Sequence, residues 1–320
     1  MDHKLLSQLQ SAYTSFVPAS TRHFIYEHAP AALQRQISNM DARATKLPFT
    51  VDDLRLPAGP YGSSRFPRRV NKICDEGDWH GEEWFAMLDA LGEPERKTGK
   101  HRKAWEWAQG LYALEQLGLL REDATAVGVG AGVENILYTL ANRIRMVYAT
   151  DIYGEGDFIA DTAFSDMLSN PARYAKFPYR EDHLTVMHMN GLALDFPDNT
   201  FDIAFSFSSI EHFGGHEASA QAVREMARVL KPGGALVLVS EVILNGRPHA
   251  EFFLPADIQR YLVNGTCLQP IEPIDYTISA QTLAHTIDTS DADYVTQLPH
   301  IVHKAGAYFY TSFCLVMEKR

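Results

Sequence analysis

Residues 127–151 read VGVGAGVENILYTLANRIRMVYATD, and this stretch sets the frame for the rest of the chain. Glycines alternate at 128, 130 and 132 between an apolar run and a helix-like segment, and Asp151 closes the stretch. ATAVGVG reads as a buried strand, VENILYTLANRI as a helix and RMVYATD as a second strand. Glycine lets a backbone approach a bound molecule closely, so a turn of this kind points to a nucleotide-like ligand.

Moving outward, the same alternation continues. LTVMHM, FDIAFSFSS and ALVLVS read as three further strands, with Val223, Met226, Ala227 and Leu230 marking a helix before Lys231-Pro232-Gly233-Gly234. Upstream, RKAWEWAQGLYALEQLG places Ala104, Trp107, Ala108, Leu111 and Leu114 at helical spacing, with Gly118 as a stop. The tail AGAYFYTSFCLVMEKR reads as a final strand or hairpin. Strands alternating with helices predict an α/β fold, a doubly wound Rossmann-like parallel sheet. The first hundred residues interleave proline, aromatic and small polar residues, as in LPAGPYGSSRFPRR, and predict short helices and loops.

Composition bounds the function. The chain has 320 residues, 46% apolar and 22% charged, as in ordinary globular proteins. Its net charge of −11 argues against a general nucleic-acid binder. Cys74, Cys267 and Cys314 are too few and too scattered for a disulfide framework or a zinc site, which fits a reducing compartment. MDHKLLSQLQSAYTSF lacks the features of a signal peptide, and no apolar run approaches the roughly 18 residues that a membrane span requires. A soluble, cytoplasmic protein with no membrane partner is expected, and Asn264-Gly265-Thr266 is read as a chance glycosylation match.

Three ligand readings compete at the glycine turn. A dinucleotide fingerprint needs a glycine where Val133 stands, and a phosphate loop needs a Gly-Lys-Ser/Thr that is missing. The G-x-G-x-G spacing resembles the turn of class I S-adenosylmethionine-dependent methyltransferases. Four more segments agree in order: Asp151, nineteen residues past Gly132; FPDNTFDIAFS; SIEHF; and EMARVLKPGGALVLVSE. The resemblance covers residues 102–245, and the tail is compatible with the family's last two strands. It implies a seven-stranded methyltransferase sheet over 102–320, with residues 1–101 as a mostly helical extension serving as lid and substrate platform.

The resemblance also implies cofactor contacts. Gly128, Gly130 and Gly132 would face the methionine part, and Asp151 the ribose hydroxyls. Asn190 would stand where the family usually has an Asp for the adenine amine, through its carbonyl. Ile152 and Leu192 would flank the adenine, with Gly191 and Ser206 beside it. Two departures stand out: Ala126, where an acidic residue is common, and Asn190 itself.

Ligands lie beyond the carboxyl ends of strands in open α/β sheets, which places Ser206 to His216 and Glu241 to Asn245 at the reaction centre. SSIEHFGGH concentrates titratable groups there. His212 is the candidate general base, with Glu211, His216 and Glu241 as acceptor-side alternatives. No diagnostic metal spacing accompanies them, so no metal is expected. DWHGEEW offers Trp79 and Trp84 as a stacking surface or as core. The basic runs SRFPRR and ERKTGKHRK offer a landing for an anionic substrate or a solvated face.

Taken together, HRKAWEWAQGLYALEQLGLL, VGVGAGVE, YATDIYG and SSIEHFGG resemble a bacterial methyltransferase subgroup associated with glycoside and surface-polysaccharide biosynthesis. That resemblance implies O-methylation of a sugar hydroxyl or a glycosylated metabolite. The remaining readings are N- or C-methylation of a small natural product, a nicotinamide oxidoreductase, and a non-catalytic binding partner with this fold. A homo-oligomer is compatible with any of them.

Overall fold

The computed structural model describes residues 47–156 and 162–320. The predicted extension therefore falls partly, at residues 1–46, outside the described residues, as do residues 157–161 of the long stretch after the second predicted strand.

A mixed sheet organises the molecule. Its strands are β1 (Lys72–Ile73), β2 (Thr125–Val129), β3 (Met146–Asp151), β4 (Leu184–His188), β5 (Phe201–Phe207), β6 (Leu230–Ile243), β7 (Leu268–Pro270), β8 (Ile287–Asp288), β9 (His303–Ala305) and β10 (Tyr308–Lys319). The order is β4-β3-β2-β5-β6-β10-β9-β8, with β1 and β7 also paired to β10. Strands β2 to β6 run parallel to their neighbours, and β10 is antiparallel to β6. The order reverses between β3 and β5 on either side of β2, which is where a doubly wound sheet opens a crevice for ligand.

Ten strands replace the seven expected. The predicted parallel centre and one long final strand account for six of them, and the other four are β1, β7, β8 and β9, each two or three residues long. Three of them pair with the twelve-residue β10, whose far ladder would otherwise stay open, and β8 continues from β9.

The strand texts follow from burial. All five residues of β2 are buried, as is every β6 residue from Ala235 to Ile243, so these strands read as apolar runs without alternation. Helix α1 spans Glu82–Ala90, α2 Arg102–Gln116, α3 Asn135–Ala141 and α4 His216–Val229. At the end of α4 the Lys319 ammonium, from the last strand, donates to the carbonyls of Ala227 (2.8 Å) and Leu230 (2.7 Å). A lysine there satisfies carbonyls left open by the helix and opposes its negative end.

The described part of the first hundred residues shares one core with the rest. Phe49 stacks on Phe309 at 3.9 Å, and Asn71 bonds both main-chain groups of Val316. Trp79 and Trp84 are buried and meet edge to face at 5.0 Å, so the two indoles of DWHGEEW are core and offer no stacking surface. The basic runs are likewise engaged internally. Arg65 pairs with Glu318, Arg68 holds the carbonyls of Asp78 and His80, and Lys97 and Lys100 pair with Asp89 and Glu76. No helix among the described residues is long and apolar enough to cross a membrane.

Helix α2 lies against β5 and β6 through Gly110. A Cβ at that position would come within 2.6 Å of the Phe207 ring and 3.3 Å of Val237. Gly110→Ala would gain about 1 kcal/mol of helix propensity, but overpacking against a buried ring costs about 1–3 kcal/mol. A net destabilisation of up to about 2 kcal/mol is expected by denaturant titration. A variant more stable than the parent would contradict this packing.

Candidate cofactor and acceptor site

The crevice at the carboxyl ends of β2, β3 and β5 contains two adjoining cavities of about 670 and 160 Å³. Gly130, Asp151, Ile152, His212 and Phe213 line both. The smaller is completed by Met189, Asn190, Gly191 and Leu192. The larger is walled by Lys103 and Trp107 of α2, by Gly132 to Asn135, and by Tyr174, Lys176, Phe207 and Ser208.

The glycine turn is shaped by what it faces. Gly130 has φ +64°, and a Cβ there would sit 1.9 Å from the Ser209 hydroxyl, so no other residue fits. Gly132 has φ +47° and donates its N–H to Asp151 Oδ2 at 2.9 Å. Asp151 Oδ1 accepts from Ile152 N–H at 2.7 Å. Each carboxylate oxygen thus keeps one lone pair for a ligand hydroxyl. Burial raises the Asp151 pKa above its usual value despite these two backbone bonds, which favour the ionised form.

Two predicted cofactor residues do not face the cavities. Gly128 lies within β2, where a Cβ would strike the Phe205 ring at 2.6 Å, so its smallness serves sheet packing. Ser206 is buried and donates to the Val129 carbonyl at 2.7 Å, a bond between neighbouring strands. Ile152, Asn190, Gly191 and Leu192 do reach the smaller cavity. Asn190 does so in an altered role. The Leu192 backbone N–H donates to its side chain at 2.9 Å, which identifies that atom as the carbonyl oxygen. The amide NH₂ therefore joins the remaining lone pair as what Asn190 can offer a purine edge.

Of the four acceptor-side candidates only His212 lines these two cavities. It ends a 3₁₀ turn, Ile210–His212, just beyond β5, and its Nδ1 lies 3.2 Å from Glu251 Oε2. Glu211 is fully buried beneath that turn and accepts from Ser240 Oγ at 2.8 Å. Burial, and then the neighbouring Glu241 carboxylate, push the Glu211 pKa well up. Glu241 is the ionised partner, held low by its hydrogen bond with Glu211 and by Arg102, 2.7 Å away, against the effect of burial. One proton shared between the two carboxyls resolves a contact that two carboxylates could not make. His216 opens α4, with Nε2 3.2 Å from the Phe252 carbonyl and its ring stacked on Phe253 at 4.9 Å. These three residues are structural supports, set below or beside the crevice.

Sequence reasoning did not nominate Trp107, Glu134 or Glu251 for the site, and reached Lys103 only as part of the basic run ERKTGKHRK. Trp107 carried a signal, since it lies on the apolar face of a helix leading into the glycine turn, but helical spacing alone cannot tell core from cavity wall. Lys103 pairs with Glu134 at 2.7 Å and with Glu106 at 3.1 Å. Burial lifts Glu134 to about 7 in spite of that ammonium.

Comparison with known proteins follows this geometry. Residues 127–238 match the family described as methyltransferase domain. A demethylmenaquinone methyltransferase of Bacillus licheniformis is 31% identical over 125 residues, 38% of this chain and 47% of that protein. A mouse protein named "Probable tRNA methyltransferase 9B" is 45% identical over 53 residues, 17% of this chain and 12% of that protein. The matched segments thus span half or less of these relatives. Among solved structures, the geranyl diphosphate C-methyltransferase of Streptomyces coelicolor aligns over 91% of this chain and 100% of its own, at 16% identity and a TM-score of 0.46.

The match to a methyltransferase domain supports a methyl donor over a nicotinamide ligand, and S-adenosylmethionine is the donor expected of it. The residues present fit it. Gly130 and Gly132 line the cavity with backbone alone, and Asp151 offers lone pairs at the rim. Ser208, at the cavity wall, holds a buried hydroxyl without a hydrogen-bond partner, on a residue with φ +44°. Backbone strain of this order costs about 1–3 kcal/mol and collects at binding sites.

Two measurements test these assignments. Charge-assisted hydrogen bonds contribute about 1.5–3 kcal/mol each, so Asp151→Ala should weaken S-adenosylhomocysteine binding at least tenfold by calorimetry. Unchanged affinity would remove Asp151 from the ribose site. For Glu211 the raised pKa means that the folded protein keeps a proton that the unfolded chain releases above the ordinary glutamate pKa of 4.5. Stability from this group therefore falls as pH rises from there. Glu211→Gln still donates to Glu241 but titrates no proton, so its stability should decline less than the parent's between about pH 5 and about pH 8. Identical slopes would show that Glu211 is ionised in the fold.

Proposed function

We propose that this chain transfers a methyl group from S-adenosylmethionine to a hydroxyl of a small molecule, with His212 as general base. One observation carries the reading: His212 is the single imidazole among the described residues that lines both the cavity beside Asn190 and the larger cavity beside Trp107. When bound, S-adenosylmethionine supplies an electrophilic methyl on a sulfonium. The acceptor oxygen forms the new bond to that carbon as the carbon–sulfur bond breaks, and the hydroxyl proton passes to His212. Displacement of this kind gains most from positioning, which the strand ends and Trp107 provide.

The finer acceptor class in this reading is a sugar or a glycosylated metabolite. Its supports are the subgroup resemblance and a wall that combines the Trp107 and Tyr174 rings with the polar groups of Lys103, Glu134 and Lys176. Aromatic faces beside polar groups suit a ring with apolar faces and a hydroxylated edge. Residues 102–320 form the methyltransferase domain in this proposal, and residues 1–101 its lid and platform. A cytoplasmic location completes it, in keeping with Cys74, Cys267 and Cys314, which form no disulfide among the described residues.

A mass-shift screen with nucleotide sugars and glycosylated small molecules identifies the acceptor; methylation at nitrogen or carbon would replace the hydroxyl assignment. With the acceptor in hand, His212→Ala should lower kcat about 10²–10⁴-fold, the usual contribution of general-base catalysis. Calorimetry should show S-adenosylhomocysteine affinity within about threefold of the parent, because His212 makes no charged contact in that reading. A fully active variant would overturn the base assignment.

A further inference from the structure

We infer that Glu251 is the positioning residue that makes His212 a base, by holding its Nδ1–H so that Nε2 is left to accept a proton. The inference rests on the general-base reading above. Its starting point is a contact between chain segments 39 residues apart: His212 Nδ1 and Glu251 Oε2 are 3.2 Å apart. An ionised carboxylate can only accept, so the ring nitrogen facing it carries the proton. A neutral imidazole has one N–H, and Nε2 is then the acceptor.

Glu251 can set a tautomer because its own loop is braced. The backbone N–H groups of Glu251 and Phe252 both donate to His249 Nδ1, at 3.1 and 2.9 Å. His249 therefore carries its proton on Nε2 and is neutral; burial holds its pKa down to about 4. Its ring stacks on Phe252 at 4.5 Å. On the far side of the loop, Phe253 pairs with β6 by donating to Glu241 and accepting from Ile243, at 3.0 and 2.9 Å. Phe252 also receives His216 and presents its ring edge to His212, at 6.4 Å between centroids. Glu251 thus hangs from a loop anchored at three points, with its carboxylate directed at His212.

The charged surroundings favour the same outcome. Glu211 Oε1 lies 3.9 Å from His212 Nε2, beyond hydrogen-bonding reach, and burial pushes the pKa of that carboxyl up. Glu241, on β6, already answers Arg102. His216 and His249 are the other titratable groups near this turn. Glu251 is the ionised group in hydrogen-bonding reach of His212 among these five, and it would also stabilise the imidazolium that forms once the hydroxyl proton arrives.

The test follows His212 itself, by long-range ¹H–¹⁵N spectroscopy of the full chain with S-adenosylhomocysteine, which requires no acceptor. The parent should show the Nδ1–H tautomer near neutral pH. Glu251→Gln keeps an oxygen acceptor for Nδ1–H but removes the charge, so His212 should titrate at lower pH in that variant. Once an acceptor is known, the acid limb of kcat/KM should move to lower pH as well. In Glu251→Ala, kcat should fall about tenfold or more with KM for S-adenosylmethionine within about twofold, the pattern of an interaction made in the transition state. Glu251→Gln, matched in shape, guards against loss of folding in the alanine variant. An Nε2–H tautomer in the parent, or identical His212 titration in Glu251→Gln, overturns this inference even where His212→Ala is inactive. A fully active His212→Ala overturns the base reading instead, so the two failures are distinct.

Discussion

The Arg102 guanidinium, buried where α2 meets β6 and β10, is the interaction on which the site depends. It reaches Glu241 at 2.7 Å, Glu106 at 2.9 Å and the Ser312 hydroxyl at 3.0 Å. Its neighbour Lys103 bridges Glu106 and Glu134. Two cations thus face four enclosed carboxyls, Glu106, Glu134, Glu211 and Glu241, and the balance requires protons on the groups with least compensation. Glu211 and Glu134 are the two whose pKa values burial pushes up. Removing one partner of such a buried set strands a charge, at a cost of about 3–5 kcal/mol. The attachment of α2 and the electrical state of the crevice are therefore one property of the fold.

The start of α2 is fixed by neutral histidines. His101 caps the helix by accepting the Lys103 N–H at Nδ1, 3.1 Å away, which an imidazolium could not do. Its ring stacks on His300 at 4.4 Å, and His300 meets His303 at 4.1 Å. Burial first, and then neighbouring positive charge, hold His101 down to about 3 and His303 to about 2. The Arg102 N–H donates to the His300 carbonyl at 2.8 Å, so the helix enters with its first two cations already aimed. Lys103 and Trp107 line the larger cavity because of that entry.

How far the sequence could be read depended on how much each element buries. β2, β5 and β6 carry continuous apolar runs and were legible, as were α2 by its periodicity and the turn at Gly130 and Gly132 by its spacing. β1, β7, β8 and β9 are too short to hold a pattern; they exist because β10 offers them a ladder. Asp151 could be found by its distance from the glycines and Asn190 by counting back from PDNTFD, but not the hydrogen bond from Leu192 N–H to the Asn190 carbonyl. Ser206 and Gly128 sat in the right segment and faced the wrong way, since a strand alternates its side chains and spacing does not say which side is which. Glu251 gave no signal, because its loop returns to the turn only through tertiary contacts of His249, Phe252 and Phe253.

The segment SSIEHFGGH shows why adjacent titratable residues part company. A 3₁₀ turn advances about 120° per residue, so three consecutive side chains leave in three directions. Ile210 enters the core, Glu211 drops to Ser240 and Glu241, and His212 reaches the cavities. Gly214 and Gly215, at φ +116° and +92°, then take the chain directly into α4, whose first residue turns inward to Phe252. A longer side chain at either glycine would be strained in that backbone and would displace the α4 start. The glycine pair therefore positions His216 as an anchor for the Glu251 loop. One cluster of acid and base residues is divided by backbone geometry into a buried carboxyl, a group facing the cavities and a brace for its partner.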